Sequence, residues 1–285
     1  MTDTQSLKED HRTHFRFGEN WADYARFVDE SRIRQAELDL RRLLPSDDLS
    51  GRTFLDIGCG SGVHSLAALR LGVSSVTSID IDPASVETAK ALVGARWPKS
   101  NAVFRVGNVF TLPEVNGPRF DVVYSWGVLH HTGAMWDAIT KASELVSSGG
   151  HLVIAIYNKT PMCRLWRWEK KFFSGASKPV QRAISRLFAG AQWVRGLASG
   201  QGLAQSESDS GRSRGMDAEH DRIDWLGGYP YESASPAEVS AHLQRLGFRL
   251  VRSFNTEAGF GLFGTGCAEY VFREGSRSRE PGGDR

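Results

Sequence analysis

The fold of this chain is decided by one stretch, Leu55-Asp56-Ile57-Gly58-Cys59-Gly60-Ser61-Gly62. The β-branched and apolar run that leads into the glycines, residues 53–57, is typical of a buried parallel strand. Glycines on alternate positions let the backbone turn sharply and approach a ligand without an intervening Cβ. Ser61 is expected to cap the following helix, whose apolar residues lie on one face. Together these features predict a nucleotide-type site at the carboxyl end of a central strand.

The spacing of the glycines separates this loop from two other kinds of glycine-rich loop. Val63 stands where a dinucleotide fingerprint has its third glycine, and no Gly-Lys-Ser or Gly-Lys-Thr follows to hold a triphosphate. The acid followed by G-x-G-x-G, Asp56 to Gly62, resembles motif I of the class I S-adenosylmethionine-dependent methyltransferases. The resemblance implies S-adenosylmethionine as cofactor and S-adenosylhomocysteine as product, with loop contacts from Asp56, Gly58, Cys59 and Gly60. A glycine turn without a ligand is the alternative.

The composition is that of a globular enzyme that is large enough to bury a sizeable core. Of its 285 residues, 40% are hydrophobic and 24% are charged. The formal net charge of +2 gives no reason at whole-chain level to expect a nucleic-acid partner. Three scattered cysteines form neither a disulfide framework nor a zinc-binding pattern. Because no apolar run approaches the roughly 18 residues of a membrane span, we expect a cytoplasmic protein without a transmembrane segment.

A second buried strand is expected at residues 75–80, and it ends in an acid. Asp80 lies 18 residues beyond the last glycine of the loop. In a βαβ unit, this spacing suits a carboxylate that accepts hydrogen bonds from both ribose hydroxyls. Ile81 would then lie against the adenine. Asp82 is better placed than Asp80 to cap the next helix, which leaves Asp80 as the predicted cofactor ligand.

Residues 103–106 and 120–125 predict the third and fourth strands. After the third strand the methyltransferase family commonly has Gly-Asp-Ala, whose acid contacts the adenine amino group. This chain has Gly107-Asn108-Val109 instead, and the amide oxygen of Asn108 can still accept that hydrogen bond. The resemblance also implies that the transferable methyl group lies at the mouth of the fourth strand. The cofactor contacts expected after these two strands are Asn108, Val109, Ser125 and Trp126.

Two histidines, His130 and His131, follow the fourth strand. They resemble the Leu-His-His of the branch that includes ubiquinone-biosynthesis O-methyltransferases. A neutral imidazole can take a proton from a hydroxyl, amine or thiol as that group attacks the methyl. We therefore predict both histidines as candidate catalytic residues. The alternative is that either of them is structural and orients the loop.

Residues 151–157 predict the fifth strand, which follows a helix over 136–146 and the pair Gly149-Gly150. The sequence predicts a helix at residues 236–246 and two strands at residues 248–253 and 269–272. These elements match the end of the sheet in the methyltransferase family. The expected fold is α/β, a Rossmann-like doubly wound sheet of seven strands. The resemblance implies the strand order 3-2-1-4-5-7-6 with the last strand antiparallel.

We divide the chain on this basis into five parts. They are an N-terminal tail and helical cap (1–45), a cofactor-binding core (46–158), a helical lid or substrate insertion (159–234), the C-terminal part of the core (235–273) and a disordered tail (274–285). The resemblance implies that the cap lies over the glycine loop and closes the cofactor site. Trp21 and Tyr24 of the cap are candidate substrate contacts, and their alternative role is packing.

The insertion alternates aromatic and basic residues over positions 164–195. Three interpretations are open. The helices could lie on an anionic membrane surface or admit a greasy substrate, they could bind single-stranded RNA, or they could dock on the core with their charges facing water. Docking is favoured because the aromatic spacing is irregular. Residues 201–214 are rich in glycine and serine and are expected to form a mobile loop.

Residues 221–232 are dense in Trp, Tyr, Gly, Pro and acidic residues, which is unusual for a linker. They precede the helix that follows the fifth strand, so they are expected near the mouth of the site. The candidate substrate contacts are Asp224, Tyr229, Tyr231 and Glu232. A structural turn that ties down the lid is the alternative.

The sequence thus predicts a methyltransferase that acts on a small-molecule nucleophile by in-line displacement, with oxygen favoured over nitrogen or sulfur. No metal is expected, because no acid and histidine cluster has ligand spacing. An RNA-modifying methyltransferase that acts on tRNA is the alternative enzyme. A catalytically inactive regulatory protein that binds S-adenosylmethionine is the alternative from another class. The sequence leaves the oligomeric state open.

Overall fold

The computed structural model describes residues 21, 25, 27–44, 49–112, 119–198, 218–255, 260–262 and 264–275. The strands are β1 (Thr53–Ile57), β2 (Ser75–Asp80), β3 (Ala102–Val106), β4 (Phe120–Trp126), β5 (Val146–Tyr157), β6 (Phe248–Asn255) and β7 (Cys267–Glu274). The α-helices are α1 (Glu30–Leu43), α2 (Val63–Arg70), α3 (Pro83–Arg96), α4 (Met135–Glu144), α5 (Cys163–Gly175), α6 (Lys178–Ala198), α7 (Ala218–Gly227) and α8 (Pro236–Arg245). A short 3₁₀ helix spans Leu129–His131.

The strands form one seven-stranded sheet in the order β3-β2-β1-β4-β5-β7-β6. Strands β1 to β5 are parallel, and β7 runs antiparallel to both β5 and β6. This order and the antiparallel last strand confirm the predicted fold. The bounds predicted for β1 and β2 are also confirmed to the residue.

The two faces of the sheet carry two separate cores, because successive side chains on a strand point to opposite faces. Val122 and Tyr124 of β4 face a core shared with α1 and α2. Val123, between them, faces a core shared with α4 and α8. Burial on both sides explains why the central strands have continuous apolar runs. The carboxyl edge of the sheet is thereby held between two helical layers.

Strand β5 begins earlier than the sequence predicts. Val146 was expected at the end of a helix, but α4 ends at Glu144 and Val146 pairs with Phe120 of β4. The register between β4 and β5 shifts after Phe120, which accommodates the additional residues of β5. The pair Gly149-Gly150 therefore lies inside β5 and does not separate helix from strand.

The cap of α2 also differs from the prediction. Gly62, not Ser61, is the N-cap residue, and no side chain donates or accepts there. Gly62 has a φ of +79°, a left-handed conformation that glycine adopts without strain. The tight turn places the helix start one residue later than expected and leaves the Ser61 side chain buried in the loop.

The insertion after β5 contains three helices in its described part, α5, α6 and α7. Residues 201–214, predicted as a mobile loop, lie outside the described residues, as do residues 1–20 and 276–285. Among the helices that are described, none combines the length and the apolar character needed to cross a membrane.

Candidate functional site

The candidate site lies at the carboxyl edge of the parallel strands, where open α/β sheets bind ligands. Because β1 to β5 run in the same direction, the residues that follow them meet at one edge. The glycine loop follows β1, Asp80 ends β2, Asn108 follows β3 and the two histidines follow β4. The sheet therefore brings residues from four strands to a common edge.

Backbone hydrogen bonds to β2 fix the glycine loop. The N–H groups of Gly58 and Cys59 donate to the Ile79 carbonyl oxygen at 2.8 and 3.0 Å. Gly60 has a φ of +52°, and its N–H donates to Asp80 Oδ2 at 3.0 Å. The loop backbone is thus held directly against the Asp80 carboxylate.

Backbone donors orient both oxygens of the Asp80 carboxylate. Oδ1 accepts from the N–H of Asp82 at 2.9 Å, and Oδ2 accepts from Gly60. Burial raises the pKa of Asp80 to about 6, although these N–H groups favour the charged form. Each carboxylate oxygen can accept a further hydrogen bond. Asp82 itself caps α3 by accepting from the Ala84 N–H at 2.9 Å, as the sequence predicts.

The Asp56 carboxylate is buried beneath the loop. Its Oδ2 accepts from the Ser65 hydroxyl at 2.5 Å, and the Ser65 oxygen lies 2.8 Å from that of Ser78. Burial raises the pKa of Asp56 to about 7, and the nearby Asp80 charge adds to the shift. Asp56 therefore ties β1 to α2 and β2. Its predicted contact with a cofactor stays a prediction.

One side chain is buried in the glycine loop, and another packs on it. The buried hydroxyl of Ser61 has no hydrogen-bond partner among the described residues. Trp21 lies over Gly60, since a Cβ on that glycine would come within 2.9 Å of the indole ring. That the whole cap lies over the glycine loop and closes the cofactor site stays a prediction. Tyr24 lies outside the described residues.

Three residues were predicted to lie beside the adenine, and they differ in exposure and in hydrogen bonding. Ile81 is 48% exposed and presents apolar surface next to Asp80. Asn108 is half-buried, and its Oδ1 accepts from the Phe110 N–H at 3.0 Å within its own loop. Val109 is buried. The amide oxygen of Asn108 thus already accepts a hydrogen bond from a backbone N–H, as both carboxylate oxygens of Asp80 do.

The end of β4 is tied to its neighbours by side-chain hydrogen bonds. Ser125 is buried and donates to the Ile57 carbonyl oxygen at 3.1 Å. The Trp126 indole N–H donates to Glu269 Oε1 at 2.8 Å, and Arg42 donates to Glu269 Oε2 at 2.6 Å. Sequence reasoning missed Arg42 and Glu269, because nothing local indicates that β7 brings an acid beside Trp126.

The two histidines have different environments. His130 is fully buried between the rings of His131 and Tyr157, whose centroids lie 4.4 and 4.0 Å away. Burial lowers the pKa of His130 well below its usual value, so its ring is neutral. His131 is half-buried, and its Nδ1 lies 2.8 Å from the Pro230 carbonyl oxygen. Because that oxygen only accepts, Nδ1 carries a proton and Nε2 is the acceptor nitrogen of the neutral ring.

Residues 228–232, at the end of the insertion, pack against the two histidines. A Cβ on Gly228 would lie 2.4 Å from His131 Cε1, so only glycine allows this approach. The Glu232 N–H donates to the His130 carbonyl oxygen at 3.0 Å. Glu232 Oε2 accepts from the Met135 N–H at 2.8 Å, at the start of α4. Glu232, predicted as a substrate contact, thus holds a helix end in this structure.

The other candidate substrate contacts in the lid differ in how far they are buried. Tyr229 is half-buried, next to the Pro230 carbonyl that holds His131. Tyr231 is buried, and its hydroxyl donates to Thr265 Oγ1 at 3.3 Å. Asp224 belongs to α7, and its side chain lies outside the described residues. Of the two described tyrosines, Tyr229 is the one with both partial exposure and proximity to the histidine turn.

Sequence analysis missed a buried lysine in the lid. The docking interpretation leaves the charges of the insertion facing water, but Lys170 is fully buried. Its Nζ donates to the Trp225 carbonyl oxygen and lies 3.8 Å from the Trp225 ring centroid. The ring centroids of Tyr231 and Tyr157 lie 5.4 and 5.9 Å away. Burial lowers the pKa of Lys170, while the aromatic faces offset part of the cost of burying its charge.

The arrangement combines two chemical capabilities. An oriented carboxylate, Asp80, can accept hydrogen bonds from hydroxyl groups beside the glycine loop. A half-buried imidazole, His131, can accept a proton beneath the lid. Within the described residues, no three His, Cys, Asp or Glu side chains cluster so that they could hold a metal ion.

Comparison with known proteins gives one family and several partial relatives. Residues 48–201 match a family model described as a methyltransferase domain. A tRNA U34 carboxymethyltransferase of Idiomarina loihiensis is 36% identical over 111 residues, which are 38% of this chain and 33% of that protein. A ubiquinone biosynthesis O-methyltransferase of Alkalilimnicola ehrlichii is 31% identical over 118 residues, 41% of this chain and 47% of that protein. The chain thus spans between a third and a half of these curated relatives.

Solved structures share the fold at low sequence identity. A magnesium protoporphyrin IX methyltransferase from Synechocystis, solved with bound SAM, has a TM-score of 0.55 and 14% identity, covering 96% of this chain and 98% of that one. An N-methyltransferase of Bradyrhizobium japonicum, solved with S-adenosyl-L-homocysteine, has a TM-score of 0.50 and 16% identity, covering 86% and 88%. These likenesses establish a common fold.

Proposed function

The chain belongs to the methyltransferase domain family, and from this premise we propose that it transfers the methyl group of S-adenosylmethionine to a small-molecule nucleophile, with oxygen favoured as the acceptor. The observation that carries the proposal is the Asp80 carboxylate at the end of β2. It is oriented by the Gly60 and Asp82 N–H groups, and it lies directly beside the glycine loop. A ribose diol is the part of the cofactor that such a carboxylate would hold.

The residues present fit S-adenosylmethionine. Asp80 would accept from the ribose hydroxyls, and Ile81 offers apolar surface for the adenine. The buried hydroxyl of Ser61, which lacks a partner among the described residues, suits the polar amino-acid end of the cofactor. The bound cofactor would supply an already activated sulfonium methyl. The protein therefore has mainly to position the two reactants, which alone lowers the barrier by several kcal/mol.

We assign proton acceptance to His131 and packing to His130. The bond from His131 Nδ1–H to the Pro230 carbonyl fixes the ring, so that Nε2 can take the proton of an acceptor hydroxyl. His130 is fully buried between two rings and has no surface through which a substrate could approach. Tyr229 and Trp21 are the described aromatic candidates for the walls of the substrate pocket. The lid would exclude water from the site.

The first test is calorimetric titration with S-adenosylmethionine and, separately, with NADH. We expect S-adenosylmethionine alone to bind, with a Kd of about 1–100 μM. Asp80→Ala should weaken binding about 100-fold, because two charge-assisted hydrogen bonds are lost. Asp82→Ala is the matched control: it removes a helix cap two residues away and should leave the affinity nearly unchanged. Unaltered binding by Asp80→Ala would refute the assignment.

The pH dependence of binding provides an independent test of the same carboxylate. Because burial raises the pKa of Asp80 to about 6, the charged acceptor is present above that pH and is lost as the pH falls through it. Affinity for S-adenosylmethionine should therefore decrease below pH about 6. Asp80→Asn should abolish this decrease.

A second candidate function is methylation of tRNA. It is favoured by the tRNA U34 carboxymethyltransferases among the relatives and by the basic helices of the lid. Release of S-adenosylhomocysteine with phenols, amines and thiols, compared with total tRNA, separates the two acceptor classes. Binding of S-adenosylmethionine without turnover on either class would instead support a regulatory protein. His131→Gln should lower turnover and change its pH profile while leaving cofactor binding intact.

A further inference from the structure

Helix α5 has two apolar faces, and only one of them packs on the core. Trp166 and Phe173 are buried and face inward, at positions that recur with helical spacing. Leu165, Trp168 and Phe172 lie on the opposite side and are more than half exposed. An amphipathic helix that only docks on its own protein would carry polar residues on that outer side.

Helix α6 repeats this arrangement. Its inner side docks through Phe188, which lies 5.2 Å from the Trp225 ring, and through Ser185, which accepts from Arg222 at 3.0 Å. Its outer side carries Leu187, which is 75% exposed, and Val194, which is 58% exposed. We call the outer residues Leu165, Trp168, Phe172, Leu187, Trp193 and Val194 the outer lid surface. Scattered single apolar residues are common on proteins, but six on two consecutive helices are not.

The charge around the outer lid surface is strongly positive. Residues 163–198 contain eight Arg and Lys, of which Lys170 is buried, and a single acid, Glu169, although the whole chain has a net charge of only +2. The Glu169 carboxylate oxygens are buried, so they add little negative charge outside. The exposed basic residues that flank the surface are Arg164, Lys171, Lys178, Arg182 and Arg186.

We propose that the outer lid surface docks the protein on an anionic lipid bilayer. Trp, Phe and Leu side chains can enter the boundary between headgroups and acyl chains, while flanking Arg and Lys side chains reach lipid phosphates. Each basic residue near an anionic surface adds to the attraction. The proposal rests on the outward face of the lid alone and does not depend on the identity of the methyl acceptor.

The composition of the surface favours lipid over single-stranded RNA. RNA-binding platforms stack bases on aromatic faces, but three of the six outer residues are aliphatic and offer no such face. The Trp168 and Phe172 rings are nearly parallel, 10° apart with centroids separated by 6.1 Å, so they already lie against each other. Aliphatic and aromatic residues beside basic ones are the combination that an interfacial helix needs.

Vesicle flotation of the full chain tests the proposal. The probes are phosphatidylcholine vesicles with and without about 30 mol% phosphatidylglycerol. We expect binding to the anionic vesicles, weakened by added salt. The double variant Trp168→Ala/Phe172→Ala should reduce partitioning about tenfold or more. Trp97→Ala is the matched control, since Trp97 is an exposed tryptophan at the end of α3 and does not belong to the lid.

A second pair of variants tests the charge. Arg164→Gln/Lys171→Gln should reduce partitioning about fivefold per charge removed, while Lys90→Gln/Lys99→Gln should leave it unchanged. An unaltered thermal unfolding midpoint identifies variants that remain folded. No flotation of the wild type, or equal flotation of Trp168→Ala/Phe172→Ala, would overturn the proposal. So would tight binding of a single-stranded RNA oligonucleotide by this face without vesicle binding.

Discussion

The glycine-loop region, residues 49–112, and the described part of the lid, residues 159–198 and 218–234, are held in place in different ways. In the glycine-loop region, backbone groups and short polar side chains form hydrogen bonds between residues that are about twenty positions apart in the sequence, as Gly60 and Asp80 do. In the lid, side chains bond across much longer separations: the Trp166 indole donates to the Gly261 carbonyl oxygen at 2.6 Å. The comparison teaches that contacts within one βαβ unit are specified locally, whereas the lid depends on distant segments meeting.

The largest effect that tests this difference is expected from Trp166→Ala. Trp166 is buried and contacts Phe188 and Trp225 edge-on. Truncation should lower the free energy of opening of the lid by about 4 kcal/mol, because it leaves a cavity and an unpaired carbonyl. Hydrogen exchange of the α5 amides measures this opening.

The matched control is Trp168→Ala, on the same helix but 68% exposed. It should change lid opening by less than about 0.5 kcal/mol. Exchange in β1 and β2 should be unaltered in both variants. If Trp166→Ala accelerated exchange in β1 as much as in α5, the lid and the glycine-loop region would be one cooperative unit, and the comparison would fail.

A smaller effect is expected from Gly62→Ala in the glycine-loop region. The added Cβ would lie 2.7 Å from the Ala89 Cβ, and the φ of +79° disfavours any side chain. The free energy of unfolding should fall by about 3 kcal/mol, from backbone strain and overpacking together. Urea denaturation measures the change.

Gly94→Ala in α3 is the control, since no atom lies within 4 Å of a Cβ built there. It should stabilise the protein by about 0.5–1 kcal/mol, because alanine loses less entropy in a helix. Equal changes in the free energy of unfolding for the two variants would show that the close approach of Gly62 to Ala89 does not limit which residue can stand at position 62.

The last effect is a dependence of the free energy of unfolding on pH that Lys170 causes, and it is the smallest of the three when it is expressed per pH unit. Burial lowers its pKa, so the unfolded chain holds a proton that the folded chain releases between that pKa and the ordinary value of 10.5. The free energy of unfolding therefore rises with pH over this window, by at most about 1.4 kcal/mol per pH unit. Lys170→Met should remove this contribution.

Urea denaturation at several pH values between about 7 and 10 measures the slope. Lys171→Met, its exposed neighbour on α5, should leave the slope as in the wild type. An unchanged slope in Lys170→Met would contradict the buried, desolvated environment of this lysine.

Residues near the glycine loop were predictable because their partners are close in sequence. The spacing from the loop to Asp80 is that of one βαβ unit, and Asp82 was identified as the cap of α3. Ser61 was predicted wrongly as the cap of α2. Its side-chain type suits a cap, but the left-handed backbone of Gly62 starts the helix one residue later.

Residues of the mouth and lid were less predictable. The pattern predicted both histidines as equivalent candidates, but only the packing of Tyr157 and Pro230 distinguishes the buried His130 from the half-buried His131. The bond from Trp126 to Glu269 joins residues 143 positions apart through the antiparallel β7. No local periodicity reports such a contact.

The sequence by itself determined the β1-loop-α2 unit, the acid at the end of β2 and, through resemblance, the order of the seven strands. Tertiary structure alone decided that Lys170 is buried among aromatic rings and that Arg42 and Glu269 hold Trp126. The physical reason is the separation along the chain over which each interaction acts. Backbone geometry and capping act over a few residues and leave a pattern in the sequence, whereas the environment of a side chain is set by whichever distant segments pack around it.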